Sequence, residues 1–143
     1  MLTMPASSQV RWAAALGGLA AWAIAVPWLG QAVGIEFYVA TRLEIADHVV
    51  PGVVLLAGAV VLAARGGPAG DTVSLGAGAV TFLAGLWITA THVPLIFDAL
   101  EGAVTWGAAL LHFSPGPPLL ILGLWILWRS ELFGGARGVQ REK

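Results

Sequence analysis

The chain has 143 residues, of which 58% are hydrophobic and only 10% are charged. Soluble domains carry roughly 25% charged residues, so this composition excludes an ordinary soluble domain and favours helices that cross a lipid bilayer. The formal net charge of −1 excludes the basic surface that nucleic-acid binding requires, and the absence of cysteine excludes disulfides and thiolate metal sites.

Four apolar segments follow one another along the chain, and each is a candidate membrane span: residues 11–30, 50–65, 73–93 and 115–129. A spanning helix needs about 20 apolar residues, so there is room for four spans and for no separate soluble domain. The first segment is longer than the apolar core of a signal peptide, so we expect it to be retained. We predict a single all-α membrane domain over residues 1–143, folded as a four-span transmembrane helical bundle.

The second and fourth segments are short for a bilayer core about 30 Å thick, and each begins at a Pro-Gly pair. Proline fits the first turn of a helix, where its missing N–H costs nothing. Ser114 precedes the second pair and would act as an N-cap. We predict structural joints at which spans two and four begin, formed by Pro51, Gly52, Pro115 and Gly116.

Two long connections join these spans on the predicted outer side: residues 30–47 and 94–111. Four polar residues of the second connection recur at the spacing of one helix face: Asp98, Glu101, Thr105 and His112. We therefore predict a short interfacial helix in each outer connection, and residues 95–112 would either lie on the membrane or dip into it. Asp98 and Glu101 would form an outer polar cluster, most simply as a solvated face.

The basic residues predict the orientation of the bundle. Arg42 falls on one side of the four-span arrangement, and the other six fall on the opposite side: Arg11, Arg65, Arg129, Arg137, Arg141 and Lys143. By the positive-inside rule both termini are cytoplasmic. Residues 130–143 would then form a cytoplasmic tail.

The chain also contains a repeat at an offset of 64 residues. The sequences HVVPG at residues 48–52 and HFSPG at residues 112–116 share His, Pro and Gly in one register. The same offset relates three further pairs of residues: Leu55 and Leu119, Leu56 and Leu120, Arg65 and Arg129. We interpret residues 11–65 and 75–129 as two copies of a helix–connection–helix unit, related by a pseudo-twofold axis along the membrane normal.

Two stretches of the first copy carry a further pattern, LGGLAAWAIAVPWLG and ADHVVPGVVLLAGAVVLAA. They resemble the SPW-repeat family of bacterial integral membrane proteins, and the resemblance covers most of residues 11–129. In that family Ser-Pro-Trp lies late in the first of two spans. Here Val26 stands before Pro27 and Trp28, and the second copy keeps only Pro94 in LAGLWITATHVPL. The resemblance implies the fold of a bacterial integral membrane protein, so we expect the protein in the bacterial inner membrane, and it names no activity.

The three histidines all fall near the predicted outer ends of spans. His48, His92 and His112, with Asp47, are candidate ligands for Zn²⁺ or Cu²⁺, and His48 with His112 could instead be axial ligands of a haem. No local metal motif such as HExxH is present. The simplest interpretation is that His48 and His112 are half-solvated interfacial residues that bond the backbone near a helix start, so that the protein needs no cofactor.

The sequence contains no nucleotide-binding or catalytic-triad pattern, and no span has a charged residue at its middle. We therefore predict a non-enzymatic membrane protein that acts as a structural or accessory partner of another membrane component or as a homo-oligomer. It would contact the lipid bilayer and no nucleic acid. The first alternative is a small haem- or metal-binding redox protein that uses the outer histidines, and the second is a transporter or channel that works as an oligomer.

Overall fold

The computed structural model describes residues 6–34, 41–65 and 72–129, and all regular structure in these ranges is α-helical. Five helices follow in chain order: α1 (Ala6–Ala32), α2 (Arg42–Arg65), α3 (Thr72–Leu100), α4 (Trp106–Phe113) and α5 (Gly116–Arg129). Within the described ranges, four helical stretches are long and apolar enough to cross a membrane: Val10–Ala32, Arg42–Ala64, Thr72–Leu100 and Trp106–Trp128. These features confirm the predicted all-α four-span bundle and fit an integral membrane protein. The predicted tail at residues 130–143 lies outside the described residues.

The start of α2 is set by a capping box, not by the Pro-Gly pair. The Glu44 N–H donates to Thr41 Oγ1 at 3.2 Å, and the Thr41 N–H donates to Glu44 Oε2 at 3.0 Å. Pro51 consequently lies inside α2, nine residues after Arg42, and the prediction that it begins the span was wrong. The start of α2 has the sequence RLEIAD, which is too polar to be recognised as part of an apolar span. Of the first outer connection, residues 35–40 lie outside the described residues.

The second outer connection is a tight turn rather than an interfacial helix. α3 runs to Leu100 and ends in a Schellman motif, in which Gly102 adopts a φ of 75° and the Ala103 N–H donates to Asp98 O at 2.8 Å. Thr105 then caps α4 by accepting from the Ala108 N–H at 3.2 Å. The helix predicted within 95–112 is thus divided between the end of α3 and the start of α4, because a glycine at positive φ terminates α3.

α4 and α5 form one span with a break at Ser114 and Pro115. Pro115 has no N–H to donate to Leu111 O, and the Ser114 hydroxyl donates to that carbonyl instead at 2.7 Å. Ser114 is the C-cap of α4 and not the N-cap predicted for span four, and its Oγ also accepts from Trp22 Nε1 at 2.8 Å. The second Pro-Gly pair therefore marks a break within a span that begins at Trp106.

The bundle is held together by close helix pairs. α1 packs mainly on α2, and α3 packs mainly on α5, while α2 and α3 also touch. A Cβ placed on Gly85 would lie 2.3 Å from Leu120 N, and one on Gly123 would lie 2.3 Å from Phe82 N, so α3 and α5 meet backbone to backbone. The core between the helices is built largely from small and aliphatic residues: Leu16, Ala20, Ala23, Leu55, Ala59, Ala84, Ile88, Leu119 and Leu122.

The second helical segment of each predicted copy has the same bounds at the offset of 64. α2 covers Arg42–Arg65, and α4 with α5 covers Trp106–Arg129. Thr41 and Thr105, which are 64 residues apart, each cap the first turn of their segment. These matches are what a duplication would produce, although the repeat itself stays a prediction.

Candidate metal centre: three buried histidines

The three histidines meet inside the bundle. His48, His92 and His112 expose only 0%, 4% and 1% of their surface. At 1.5 Å per residue, His48 lies about 9 Å along α2 from Arg42, and His92 lies about 12 Å before the end of α3 at Leu100. The prediction of half-solvated interfacial histidines was therefore wrong. It placed the start of α2 too late and so placed His48 at the surface.

The three imidazoles converge on one point. His48 Nε2 lies 3.0 Å from His92 Nε2 and 3.3 Å from His112 Nδ1. One ring nitrogen from each histidine lies within 4.8 Å of the other two. We call these three residues the histidine cluster. α2, α3 and α4 each contribute one member, so the cluster joins both predicted copies of the repeat.

His92 is held in a defined tautomer by its own helix. Its Nδ1 lies 2.9 Å from Ile88 O, and a ring nitrogen that faces a carbonyl oxygen must carry the proton. Thr91 Oγ1 lies 3.0 Å from the same nitrogen and donates its own hydrogen to Trp87 O at 2.9 Å. The Nε2 of neutral His92 therefore presents a lone pair to the centre of the cluster.

The other two histidines differ in their outer contacts. His112 turns its Nε2 towards Glu44, whose Oε1 lies 3.7 Å away, within ion-pair range but beyond hydrogen-bond distance, and whose side chain is 19% exposed. His48 Nδ1 is buried and has no hydrogen-bond partner among the described residues. A buried polar atom without a partner costs free energy, so native proteins keep few of them. Without an ion, the His48 Nε2–H can donate to the lone pairs of His92 Nε2 and His112 Nδ1; with an ion on Nε2 the proton moves to Nδ1, which has no acceptor among the described residues in either case.

The cluster has the dimensions of a small metal site. With Zn–N bonds of about 2.0–2.1 Å, two nitrogens of a tetrahedral site lie about 3.3–3.4 Å apart. The separation of 3.3 Å matches this spacing and the separation of 3.0 Å is slightly shorter, and both are also the lengths of hydrogen bonds between the imidazoles. A haem does not fit this arrangement, because its axial nitrogens lie on opposite faces of a macrocycle. Here His92 and His112 both contact His48 directly, which leaves no room for a macrocycle.

Sequence reasoning found the three histidines but not their relation to the acidic residues. Asp47 is next to His48 in α2 yet is not part of the cluster, and Asp98 and Glu101 lie at the end of α3 and in the following turn. The carboxylate that faces the cluster belongs to Glu44. A usable signal was present in the sequence, because Glu44 precedes His48 by four residues and lies on the same helix face.

Comparisons with protein-family models, curated protein sequences and solved structures find no match to this chain.

Proposed function

We propose that this integral membrane protein binds one transition-metal ion, Zn²⁺ or Cu²⁺, through His48, His92 and His112. The observation that carries the proposal is the convergence of three buried ring nitrogens, two pairs of which have the spacing of metal ligands. Neutral imidazole is a ligand suited to both ions. The second ring nitrogen of His92 donates to a backbone carbonyl, and that of His112 faces a carboxylate at 3.7 Å; hydrogen bonds to these two kinds of group orient metal-bound histidines.

The surroundings of the cluster favour holding an ion over conducting one. Leu55, Ile88 and Leu119 lie one or two turns deeper in α2, α3 and α5, and each is at most 1% exposed. A conduction path through the bundle needs polar groups at mid-membrane, and these three positions supply none. We therefore propose a non-catalytic accessory role, in which the protein holds the ion near one end of the bundle for a membrane partner.

The proposal also covers the evolutionary origin of the bundle and its orientation in the membrane. The matching bounds of α2 and of α4 with α5 support a tandem duplication, and the basic residues support cytoplasmic termini. The bacterial inner membrane is proposed from the resemblance alone. The histidine cluster would then lie in the outer half of the membrane. An SPW-repeat ancestry is compatible with this arrangement.

The metal content of the purified protein tests the proposal. The protein should be prepared in detergent with an affinity tag that contains no histidine, loaded with Zn²⁺ or Cu²⁺, and freed of excess ion. We expect about one ion per chain by elemental analysis, with Cu²⁺ bound more tightly than Zn²⁺. His48→Ala, His92→Ala and His112→Ala should each lower the stoichiometry towards zero, because each removes one of three ligands.

A matched control separates the cluster from the acidic residues at the same end of the bundle. The double variant Asp98→Asn, Glu101→Gln removes two nearby carboxylates that do not belong to the cluster, and it should keep the full stoichiometry. Circular dichroism should show that every variant retains its helices. A wild-type protein without bound metal, or single histidine variants that load as well as wild type, would refute the proposed site.

The accessory role has its own test. Photo-crosslinking residues placed on exposed faces, for example at Trp87 or Leu124, should capture a specific second membrane protein in native membranes. Recovery of self-crosslinks alone would contradict an accessory role and would leave the metal site unaffected.

A further inference from the structure

We infer that Glu44 is the positioning residue of the metal site, holding His112 in the tautomer that offers Nδ1 to the ion. This inference rests on the proposed metal site. It adds the residue that orients one ligand and the ring nitrogen that each histidine offers to the ion. The set is then mixed, with Nε2 from His48, Nε2 from His92 and Nδ1 from His112.

The geometry assigns the two nitrogens of His112 to different tasks. Nδ1 points into the cluster, 3.3 Å from His48 Nε2, while Nε2 lies 3.7 Å from Glu44 Oε1. A carboxylate accepts hydrogen bonds only, so the His112 nitrogen that faces it carries the proton. The lone pair of the neutral ring is thereby left on Nδ1. The separation of 3.7 Å between Nε2 and Oε1 is longer than a hydrogen bond, and we expect it to shorten when an ion holds Nδ1.

Glu44 is itself fixed by the capping box at the start of α2. Its Oε2 accepts from the Thr41 N–H at 3.0 Å, so Oε1 remains directed towards His112. The two oxygens of one carboxylate therefore serve the helix cap and the metal ligand together. Because metal binding and helix capping share this side chain, each should stabilise the other.

The variant Glu44→Gln separates the two tasks. Glutamine is accepted in a capping box, but its amide has one acceptor oxygen and cannot serve both the Thr41 N–H and His112 Nε2. The capping contact is the shorter one, so we expect it to persist while the contact to His112 is lost. Isothermal titration of Zn²⁺ into the full-length protein should show an affinity about 10–100-fold below that of wild type.

Two control variants distinguish this contact from general effects. Asp47→Asn removes a negative charge close to the cluster without touching the capping box, and it should weaken binding far less than Glu44→Gln. Thr41→Ala removes the hydroxyl of the capping box but leaves the carboxylate beside His112, so it should lower thermal stability more than affinity. If wild type binds Zn²⁺ and Glu44→Gln binds it equally well, or if Asp47→Asn causes the same loss, the inference fails while the proposed site stands. A wild type that binds nothing refutes the site itself.

A second measurement needs no variant at Glu44. Protein labelled with ¹⁵N-histidine and loaded with Zn²⁺ reports which ring nitrogen of each histidine binds the ion. We expect two histidines bound through Nε2 and one through Nδ1, and the Nδ1-bound signal should disappear in His112→Ala. Three histidines bound through Nε2 would overturn the assignment.

Discussion

At the scale of single residues, two glycines without a side chain are as important for the packing of the bundle as the histidines are for the proposed site. Gly85 and Gly123 lie where the backbones of α3 and α5 meet, and a Cβ at either position would overlap a main-chain atom of the other helix. Backbone atoms cannot rotate away as the end of a flexible side chain can. These two glycines therefore set the separation of α3 and α5.

Gly85→Ala should consequently destabilise the bundle. A Cβ at Gly85 would lie 2.3 Å from Leu120 N, and relieving this overlap by separating the helices should cost about 1–3 kcal/mol. Gly18→Ala is the matched control, because a Cβ there meets nothing within 4 Å and alanine favours the helix. Thermal unfolding in detergent should show a lower midpoint for Gly85→Ala only. Equal midpoints for the two variants would contradict the close approach.

From the sequence, the repeat relates two of the three candidate histidines and does not predict how the third meets them. His48 and His112 match at the offset of 64, so the repeat placed them at equal depth and made a shared site conceivable. The residue 64 positions before His92 is Trp28, which is 47% exposed, so the repeat contains no information about the third member. The place of His92 depends on how α3 is rotated about its axis, and the packing of α3 on α5 determines that rotation.

At the scale of helices, local hydrogen bonds decide where each helix begins and ends. The apolar runs were sufficient to predict four spans, but they placed the second and fourth starts at Pro-Gly pairs. The observed starts are caps made by Thr41 and Thr105. A cap is a short polar pattern, so it contributes little to an apolar run and is missed when spans are located by hydrophobicity alone.

The cap of α4 can be tested directly. Thr105→Ala removes the oxygen that accepts from the Ala108 N–H, and the loss should cost about 0.5–2 kcal/mol of unfolding free energy. Thr105→Ser keeps the hydroxyl and should behave almost as wild type. Chemical denaturation in a mild detergent measures both. If the serine variant is destabilised as much as the alanine variant, the hydroxyl contact is not the source of the effect.

At the scale of the whole molecule, the two ends of the bundle differ in chemistry. The histidine cluster lies near the end at which α2 and α4 begin. On α5, Trp125 contacts Trp12 of α1 at a ring-centroid separation of 6.1 Å and Trp128 at 5.3 Å. Tryptophan is frequent at membrane interfaces, so this aromatic group fits the headgroup level on the predicted cytoplasmic side.

The predicted orientation can be checked with single cysteines, because the chain contains none of its own. Glu101→Cys lies in the exposed turn between α3 and α4 and should react with a membrane-impermeant thiol reagent added to intact cells. Thr72→Cys lies at the exposed start of α3 and should react only after the membrane is permeabilised. The reverse pattern would invert the topology and place the histidine cluster on the cytoplasmic side.

The break at Ser114 and Pro115 divides the fourth span into two helices, α4 and α5, which are held in the bundle in different ways. α5 is locked against α3 by the close approach at Gly123 and by Gly116, whose Cβ would lie 2.8 Å from Thr89 N. α4 carries His112, packs on α3 and continues into α5 through the interrupted turn, where Ser114 accepts a hydrogen bond from Trp22 of α1. His48 and His92 lie on α2 and α3, which continue as long helices through Pro51 and Pro94. We expect ions of different radius to shift the eight residues of α4 more than they shift α2, α3 or α5.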